Sequence, residues 1–132
     1  MAGGRGEFRG DAHTAAWTSA GFDATESGLL GGLFWGLPMK SYSRTRAWSN
    51  EQLDAAADRL RARGLLDATG YTDTGRAARE LLEANTDLQL APTIEALGDD
   101  LATLCSTLAA WGVQIKAAGG YLSGPSDIAG AR

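Results

Sequence analysis

A histidine and an aspartate stand two positions apart near the start of the chain, in the segment RGDAH at residues 9–13. Imidazole titrates near neutral pH, so Asp11 and His13, assisted by Arg9, could carry out acid–base chemistry in a small enzyme. The alternative is structural: Asp11 caps the first helix, Arg9 pairs with an acid and His13 is half-buried. We favour the structural interpretation, so the sequence points away from an enzyme.

Side chains for other kinds of catalysis or for metal binding are few. Cys105 is the single cysteine and His13 the single histidine, so the sequence holds no Cys/His set for zinc. Cys105 lies beside an apolar stripe, where a thiol is typically inert rather than nucleophilic. The stretch GGRGEF lacks the spacing and the lysine of a phosphate-binding loop. We therefore expect no metal and no cofactor.

Aromatic residues indicate a different function, the binding of an apolar molecule. Three of the four tryptophans, Trp17, Trp35 and Trp111, lie in or beside apolar helix faces. Aromatic side chains commonly line small-molecule sites, and His13 shares a predicted helix face with Trp17. Each tryptophan could instead belong to the core, and that alternative stays open. We predict a ligand site drawn from Trp17, Trp35, Trp111, His13 and Phe34.

The length of 132 residues fits one domain with a buried core. We expect flexible ends at residues 1–10 and 119–132 and a folded domain at residues 11–118. A bilayer-spanning apolar run, a signal peptide and a second cysteine are all missing from the sequence. A cytoplasmic location is the expectation that follows.

Capping signals and apolar periodicity predict most of the helices. Asp23 and Glu26 form a capping box before the second helix, and Ser49 and Gln52 form another before the helix NEQLDAAADRLRA. Trp48 can pack on this second capped helix across its N-terminus. The helix should bury one stripe, which consists of Leu53, Ala56, Ala57 and Leu60. The following LLDATGYTD reads as two short strands joined by a turn, with a further helix starting at Thr72 or Asp73.

Six large apolar residues follow Pro92 at alternating spacings of three and four. They are Ile94, Leu97, Leu101, Leu104, Leu108 and Trp111. This heptad spacing predicts one long C-terminal helix over residues 92–118, which starts at Pro92. Such a stripe can pack on its own domain or on a second copy, and we expect a homodimer.

The order of these elements resembles a known DNA-binding architecture. The segment WSNEQLDAAADRLRARGLLDATGYTDTGRAARELLE resembles the core of MarR-like winged helix-turn-helix proteins. RGDAH, AGFDATES, LPMKSYSRTRAWSNEQLDAAADRLRARGLLD and YTDTGRAARE are similar to the C-terminal half of the actinobacterial SalipHTH-type family. The resemblance implies a mainly α winged helix-turn-helix fold with a two-stranded β-hairpin wing and a long C-terminal helix. MarR-like proteins dimerise through terminal helices, so it also favours the homodimer.

The same resemblance raises the question of DNA binding. In such a fold residues 41–63 would meet DNA. The candidate contacts in and beside this segment are Arg44, Arg46, Asn50, Gln52 and Arg59. However, the outward face of the Ser49-capped helix carries Glu51 and Asp58, flanked by Asp54, which phosphates would repel, and the net charge of −4 weakens any general attraction.

Binding without catalysis is therefore the function that the sequence favours. We expect a winged-helix protein that holds a small apolar or aromatic ligand, or a protein partner. A DNA-binding transcriptional regulator is the alternative, and a small enzyme that uses Asp11 and His13 comes third.

Overall fold

The computed structural model describes residues 8–120, without the side chains of Arg44 and Thr45. Of the predicted flexible ends, residues 1–7 and 121–132 lie outside this range. Within it the chain forms five α-helices and one 3-10 helix. In chain order these are α1 (Phe8–Ser19), α2 (Ala24–Phe34), the 3-10 helix (Ser43–Arg46), α3 (Asn50–Ala62), α4 (Asp73–Leu97) and α5 (Asp100–Ala117).

Both predicted capping boxes are confirmed. Before α2, the Asp23 carboxylate accepts the Glu26 backbone N–H at 2.8 Å, and the Glu26 carboxylate accepts the Asp23 N–H at 3.1 Å. Before α3, Ser49 and Gln52 exchange the same pair of bonds at 3.2 and 2.9 Å. An N-cap of this kind stabilises a helix by about 1 kcal/mol. The start of each helix is thus fixed by side chains that the sequence itself supplies.

The core lies where α2, α3 and α4 meet. The predicted stripe of α3 is confirmed, since Leu53, Ala56, Ala57 and Leu60 are fully buried. It packs in one cluster with Leu29 and Leu30 of α2 and Leu82 of α4. Helix α1 lies along α4 and buries Ala12 and Ala16.

The loop between α3 and α4 corrects the predicted wing. In the described residues it forms no strand, and Leu66 and Tyr71 pair in a single antiparallel bridge. The Asp67 carboxylate accepts the backbone N–H groups of Thr69 and Gly70, which closes a tight turn immediately after Leu66. The prediction of a two-stranded β-hairpin was therefore wrong.

Helix α4 leaves no room for such a hairpin. Its N-cap is Thr72, whose hydroxyl accepts the Gly75 N–H at 3.0 Å and donates to the Gly64 carbonyl at 2.7 Å. These bonds draw α4 tightly onto the loop, so that a Cβ on Gly75 would lie 1.8 Å from the Leu65 carbonyl oxygen. Only one residue on each side of the turn can then pair.

The C-terminal region is also built differently from the prediction. Pro92 does not begin a helix but lies inside α4, which continues to Leu97. A proline removes one backbone N–H, and the rest of the helix can continue around it. The chain breaks instead at Gly98, whose φ of +47° ends α4, and α5 begins at Asp100. The predicted single helix over residues 92–118 was wrong, and the heptad stripe is divided between two helices.

Helix α5 leaves its apolar side chains facing water. No residue of α5 is buried, and Leu108 and Trp111 are 51% and 56% exposed. Among residues 8–120, no helix combines the length and the apolar character that crossing a membrane requires.

Candidate functional site

A cavity of about 550 Å³ lies between α1, α2, the 3-10 helix and α4. Its aromatic walls are Trp17 of α1, Trp35 at the end of α2, Tyr42 at the start of the 3-10 helix and Trp48 before α3. The rings of Trp35 and Tyr42 meet edge to face, with centroids 5.3 Å apart. This volume falls within the usual range for small-molecule sites.

Two glycines of α2 keep one wall of the cavity free of side chains. A Cβ on Gly28 would lie 3.0 Å from the Ser43 hydroxyl oxygen. A Cβ on Gly31 would have no atom within 4 Å, so it would stand in open space. Both residues line the cavity. Glycines weaken a helix; here Gly28 permits the close approach of Ser43, and Gly31 leaves open space at the cavity.

Ser43 gives the cavity a buried polar group. It is only 2% exposed, and its hydroxyl has no hydrogen-bond partner among the described residues. A buried hydroxyl without a partner costs about 1–3 kcal/mol. A molecule in the cavity that bonds to this oxygen would recover that free energy.

His13 faces the cavity from α1 and is held from behind by α4. Its Nδ1 lies 3.1 Å from the Thr86 hydroxyl, which donates its single proton to the Leu82 carbonyl at 2.8 Å. The neutral ring must therefore donate from Nδ1 to Thr86, which leaves Nε2 as a hydrogen-bond acceptor. Burial, reinforced by the charge of Arg79, lowers the pKa of His13 and favours this neutral ring.

In the part of the chain that the structure describes, three arginines and one glutamate line the polar side of the cavity. Arg79 is 5% exposed, bonds to Glu83 and lies over the Phe34 ring at 4.5 Å. Glu83 also accepts a bond from Arg9 at 3.0 Å. Burial raises the pKa of Glu83, but the Arg79 hydrogen bond and the positive charges around it outweigh burial and lower that pKa. Glu83 is therefore ionised and shared between Arg9 and Arg79.

Arg46 stands apart from these ion pairs. It donates to the Tyr42 hydroxyl at 2.8 Å and lies 5.5 Å from the centre of the Tyr42 ring. Among the described residues, no carboxylate lies within ion-pair distance of its guanidinium. Its positive charge is therefore not neutralised by an acid in this part of the chain.

The structure brings together only part of the predicted ligand site. Trp17, Trp35 and His13 all line the cavity. Phe34 lies outside its lining and packs instead beneath Arg79. Trp111 lies on α5 and does not line it either.

The proposed catalytic residues do not form a pair. Asp11 is exposed on α1 and is not among the residues that line the cavity. Side chains two positions apart on a helix do not face each other, and His13 bonds to Thr86 instead. Arg9 bonds to Glu83 across the α1–α4 contact.

The predicted ligand site left out many lining residues, among them Tyr42, Ser43, Trp48 and Arg79. Trp48 had an explanation as a helix staple, and it does pack partly against the core. The glycines of α2 were the available signal, since a helix with so little side-chain bulk invites close approach or open space.

Most predicted DNA contacts of α3 are occupied within the protein. Arg59 donates to Glu26 at 2.9 Å and to Asp23 at 2.5 Å. Gln52 serves the capping box, while Asn50 is exposed at the helix start. Arg46 bonds to Tyr42, and the side chain of Arg44 lies outside the described residues.

The other basic residues of this region are paired in the same way. Arg61 bonds to Asp58 at 2.8 Å. Arg63 donates to the carbonyls of Gly21 and Ala20 and lies 4.2 Å above the Phe22 ring. The acids of α3 meanwhile face solvent, and backbone and Ser49 hydrogen bonds lower the pKa of Glu51, which keeps it charged.

A family model for a helix-turn-helix family matches residues 5–122, which is nearly the whole chain. The chain belongs to this helix-turn-helix family. Membership suggests a regulator-like function with DNA as a partner. No curated protein and no solved structure matches the chain. The MarR-like and SalipHTH-type resemblances therefore remain predictions.

The single histidine provides a direct test of the cavity wall. Because burial lowers its pKa, we expect His13 to titrate below the usual value of 6.5. The folded protein then binds fewer protons than the unfolded chain at acid pH. Stability from this group is fully present above pH 6.5 and falls as the pH drops through 6.5 toward the lowered pKa. NMR titration of the ring protons measures this value, and no other histidine overlaps the signal.

The variant His13→Asn is the matched control because it keeps a side-chain N–H for Thr86 but does not titrate. Between about pH 8 and about pH 5, wild type should lose more stability toward urea than this variant loses. A ring that titrates at or above 6.5 would contradict the buried, neutral environment.

Proposed function

We propose that this protein binds a small molecule with a planar, apolar body in the cavity between α1, α2, the 3-10 helix and α4. The observation that carries the proposal is the convergence of Trp17, Trp35, Trp48 and Tyr42 on one space of about 550 Å³. Such rings bind flat ligands by stacking and by burial of apolar surface. The unpartnered Ser43 hydroxyl supplies a polar group that would orient the ligand.

The position of the cavity supports a regulatory role for the bound molecule. The 3-10 helix forms one of its walls and also lies between α2 and α3 along the chain. A ligand that contacts this segment therefore touches the connection that sets the direction of α3. The backbone beside it is strained, since Ala47 has a left-handed φ of +61°.

Filling the cavity from Gly31 tests the proposal. In Gly31→Leu a side chain enters the open space, while the helix should tolerate the change because leucine is a better helix former than glycine. We expect the uncharged dye N-phenyl-1-naphthylamine to quench the tryptophans of wild type and to lose most of this effect in the variant. Tryptophan fluorescence measures binding, and circular dichroism checks the fold.

Ala55→Leu is the matched control, since it places the same side chain at an exposed position of α3, outside the cavity lining and on a different helix from the exposed apolar side chains of α5. It should bind the dye as wild type does. Unchanged binding by a folded Gly31→Leu protein would refute the proposal.

DNA binding through residues 41–63 is the second candidate function, and it is supported by family membership. Asn50 at the start of α3 is exposed and free to reach a base edge. Against this stand the outward Glu51 and the arginines that are already bonded within the protein. We therefore place it behind ligand binding.

Anisotropy of a labelled random-sequence duplex tests this order. We expect weak binding at low salt and little binding near physiological salt, because few cations remain to displace counterions. If α3 does face DNA, Glu51→Gln should tighten binding, since it removes one repulsive charge. The control Glu95→Gln makes the same change on α4. Strong wild-type binding that falls steeply with salt would move the regulator to first place.

A further proposal concerns assembly: α5 packs against a second copy of this chain. Its stripe of Leu104, Leu108 and Trp111 is spaced by four and three residues and therefore lies on one face. That face is exposed in the described part of the chain. Large apolar patches of this kind usually mark interaction surfaces, and two-fold homodimers are the commonest assembly.

Leu108→Glu should convert the dimer to a monomer, as measured by light scattering on a sizing column. The residue is half exposed in the single chain, so the fold should survive the change. The control Ser106→Glu adds the same charge on the opposite face of α5 and should leave the mass unchanged. If light scattering gave the mass of one chain for the wild-type protein, the dimer proposal would be refuted.

A further inference from the structure

The charge around the cavity is unbalanced. Among the described residues, Arg9, Arg46 and Arg79 line it together with a single carboxylate, that of Glu83. Glu83 is shared by Arg9 and Arg79, so one negative charge serves both of them. His13 is neutral and adds no charge of its own. The described part of the cavity lining therefore carries a net positive charge.

Arg46 and Ser43 face the cavity from the same element. Ser43 is the first residue of the 3-10 helix and Arg46 is the last, three positions further on. Side chains at that separation lie on the same side of a 3-10 helix. Both residues line the cavity. Among the described residues, Arg46 forms no ion pair and the Ser43 hydroxyl has no hydrogen-bond partner. A guanidinium and a hydroxyl are thus presented together as hydrogen-bond donors.

We propose that the ligand of this cavity is an organic anion, whose negatively charged group binds Arg46 and Ser43 while its planar body lies among the tryptophans. This inference rests on the proposed ligand-binding function and adds the chemical class of the ligand. Anionic oxygens form shorter and stronger bonds to a guanidinium than neutral acceptors do. The cavity volume of about 550 Å³ limits the anion to a small molecule.

The opposite wall offers a second point of recognition. His13 donates from Nδ1 to Thr86, so its Nε2 can accept a hydrogen bond from the ligand. An anion that also carries an N–H or O–H group would satisfy both walls. Trp17 lies one turn beyond His13 on the same helix, which places an aromatic surface beside this acceptor.

Two fluorescent dyes that differ by one charged group provide the test. The dyes are 1-anilinonaphthalene-8-sulfonate and N-phenyl-1-naphthylamine, which share the rings and the N–H group, and only the first carries a sulfonate. We expect wild type to bind the sulfonate at least about tenfold more tightly, the usual gain from a charge-assisted bond. Fluorescence titration gives both dissociation constants.

Variants of Arg46 assign that preference to the guanidinium. Arg46→Met keeps an apolar side chain of similar reach and should weaken sulfonate binding about tenfold, with a much smaller effect on the uncharged dye. Arg46→Lys keeps the charge and should retain part of the preference. Arg61→Met is the control, because Arg61 is paired with Asp58 and does not line the cavity.

The outcomes separate the two proposals. Exposed apolar side chains of α5 can also bind dyes, so only the signal that Gly31→Leu removes is assigned to the cavity. If Gly31→Leu removes neither signal, the ligand-binding function itself fails. If it removes both signals but the dyes bind equally well, only the anion is excluded. An Arg46→Met protein that weakens both dyes equally would likewise overturn the inference, since Arg46 would then act only on the fold.

Discussion

The carboxylate of Glu26 fixes how α2 meets α3, and the rest of the fold depends on that junction. Glu26 is only 4% exposed, so its charge must be paired within the protein. It accepts the Asp23 N–H at the start of α2 and the Arg59 guanidinium from α3, and Arg63 lies 3.6 Å away. One side chain thus caps one helix and anchors the next. The arrangement also commits two cations that a DNA-binding helix would need.

Local signals made much of the fold predictable. The capping boxes and the buried stripe of α3 are decided by neighbouring residues, so the sequence reveals them directly. The wing and the last helix depended on where α4 begins and ends, which the residue pattern did not determine. The loop after α3 pairs at Leu66 and Tyr71, and the next residue, Thr72, already caps α4. Helix α4 continues through Pro92 and ends at Gly98. The residue pattern alone therefore did not decide between the possible arrangements of these two regions.

The candidate site was predictable only in outline. Trp17, Trp35 and His13 were identified by residue type, since aromatic and imidazole side chains are conspicuous in a short chain. Ser43 and Arg79 do not stand out by residue type, and only the packing of the helices places them at the cavity. Trp111 has the same chemistry as Trp17 but lies on α5, away from the cavity. Residue type identifies the side chains that could bind a ligand, and packing determines which of them line the cavity.

The 3-10 helix is at once a wall of the cavity and the link that carries α3. If binding at one end of this shared segment changes its arrangement, the coupling between the two ends acts by the same factor in both directions. A partner that binds α3 and moves the 3-10 helix would therefore strengthen or weaken the binding of a molecule in the cavity. The left-handed φ of +61° at Ala47 adds local backbone strain beside this link. A cavity placed elsewhere in the core would not be coupled to α3 in this way.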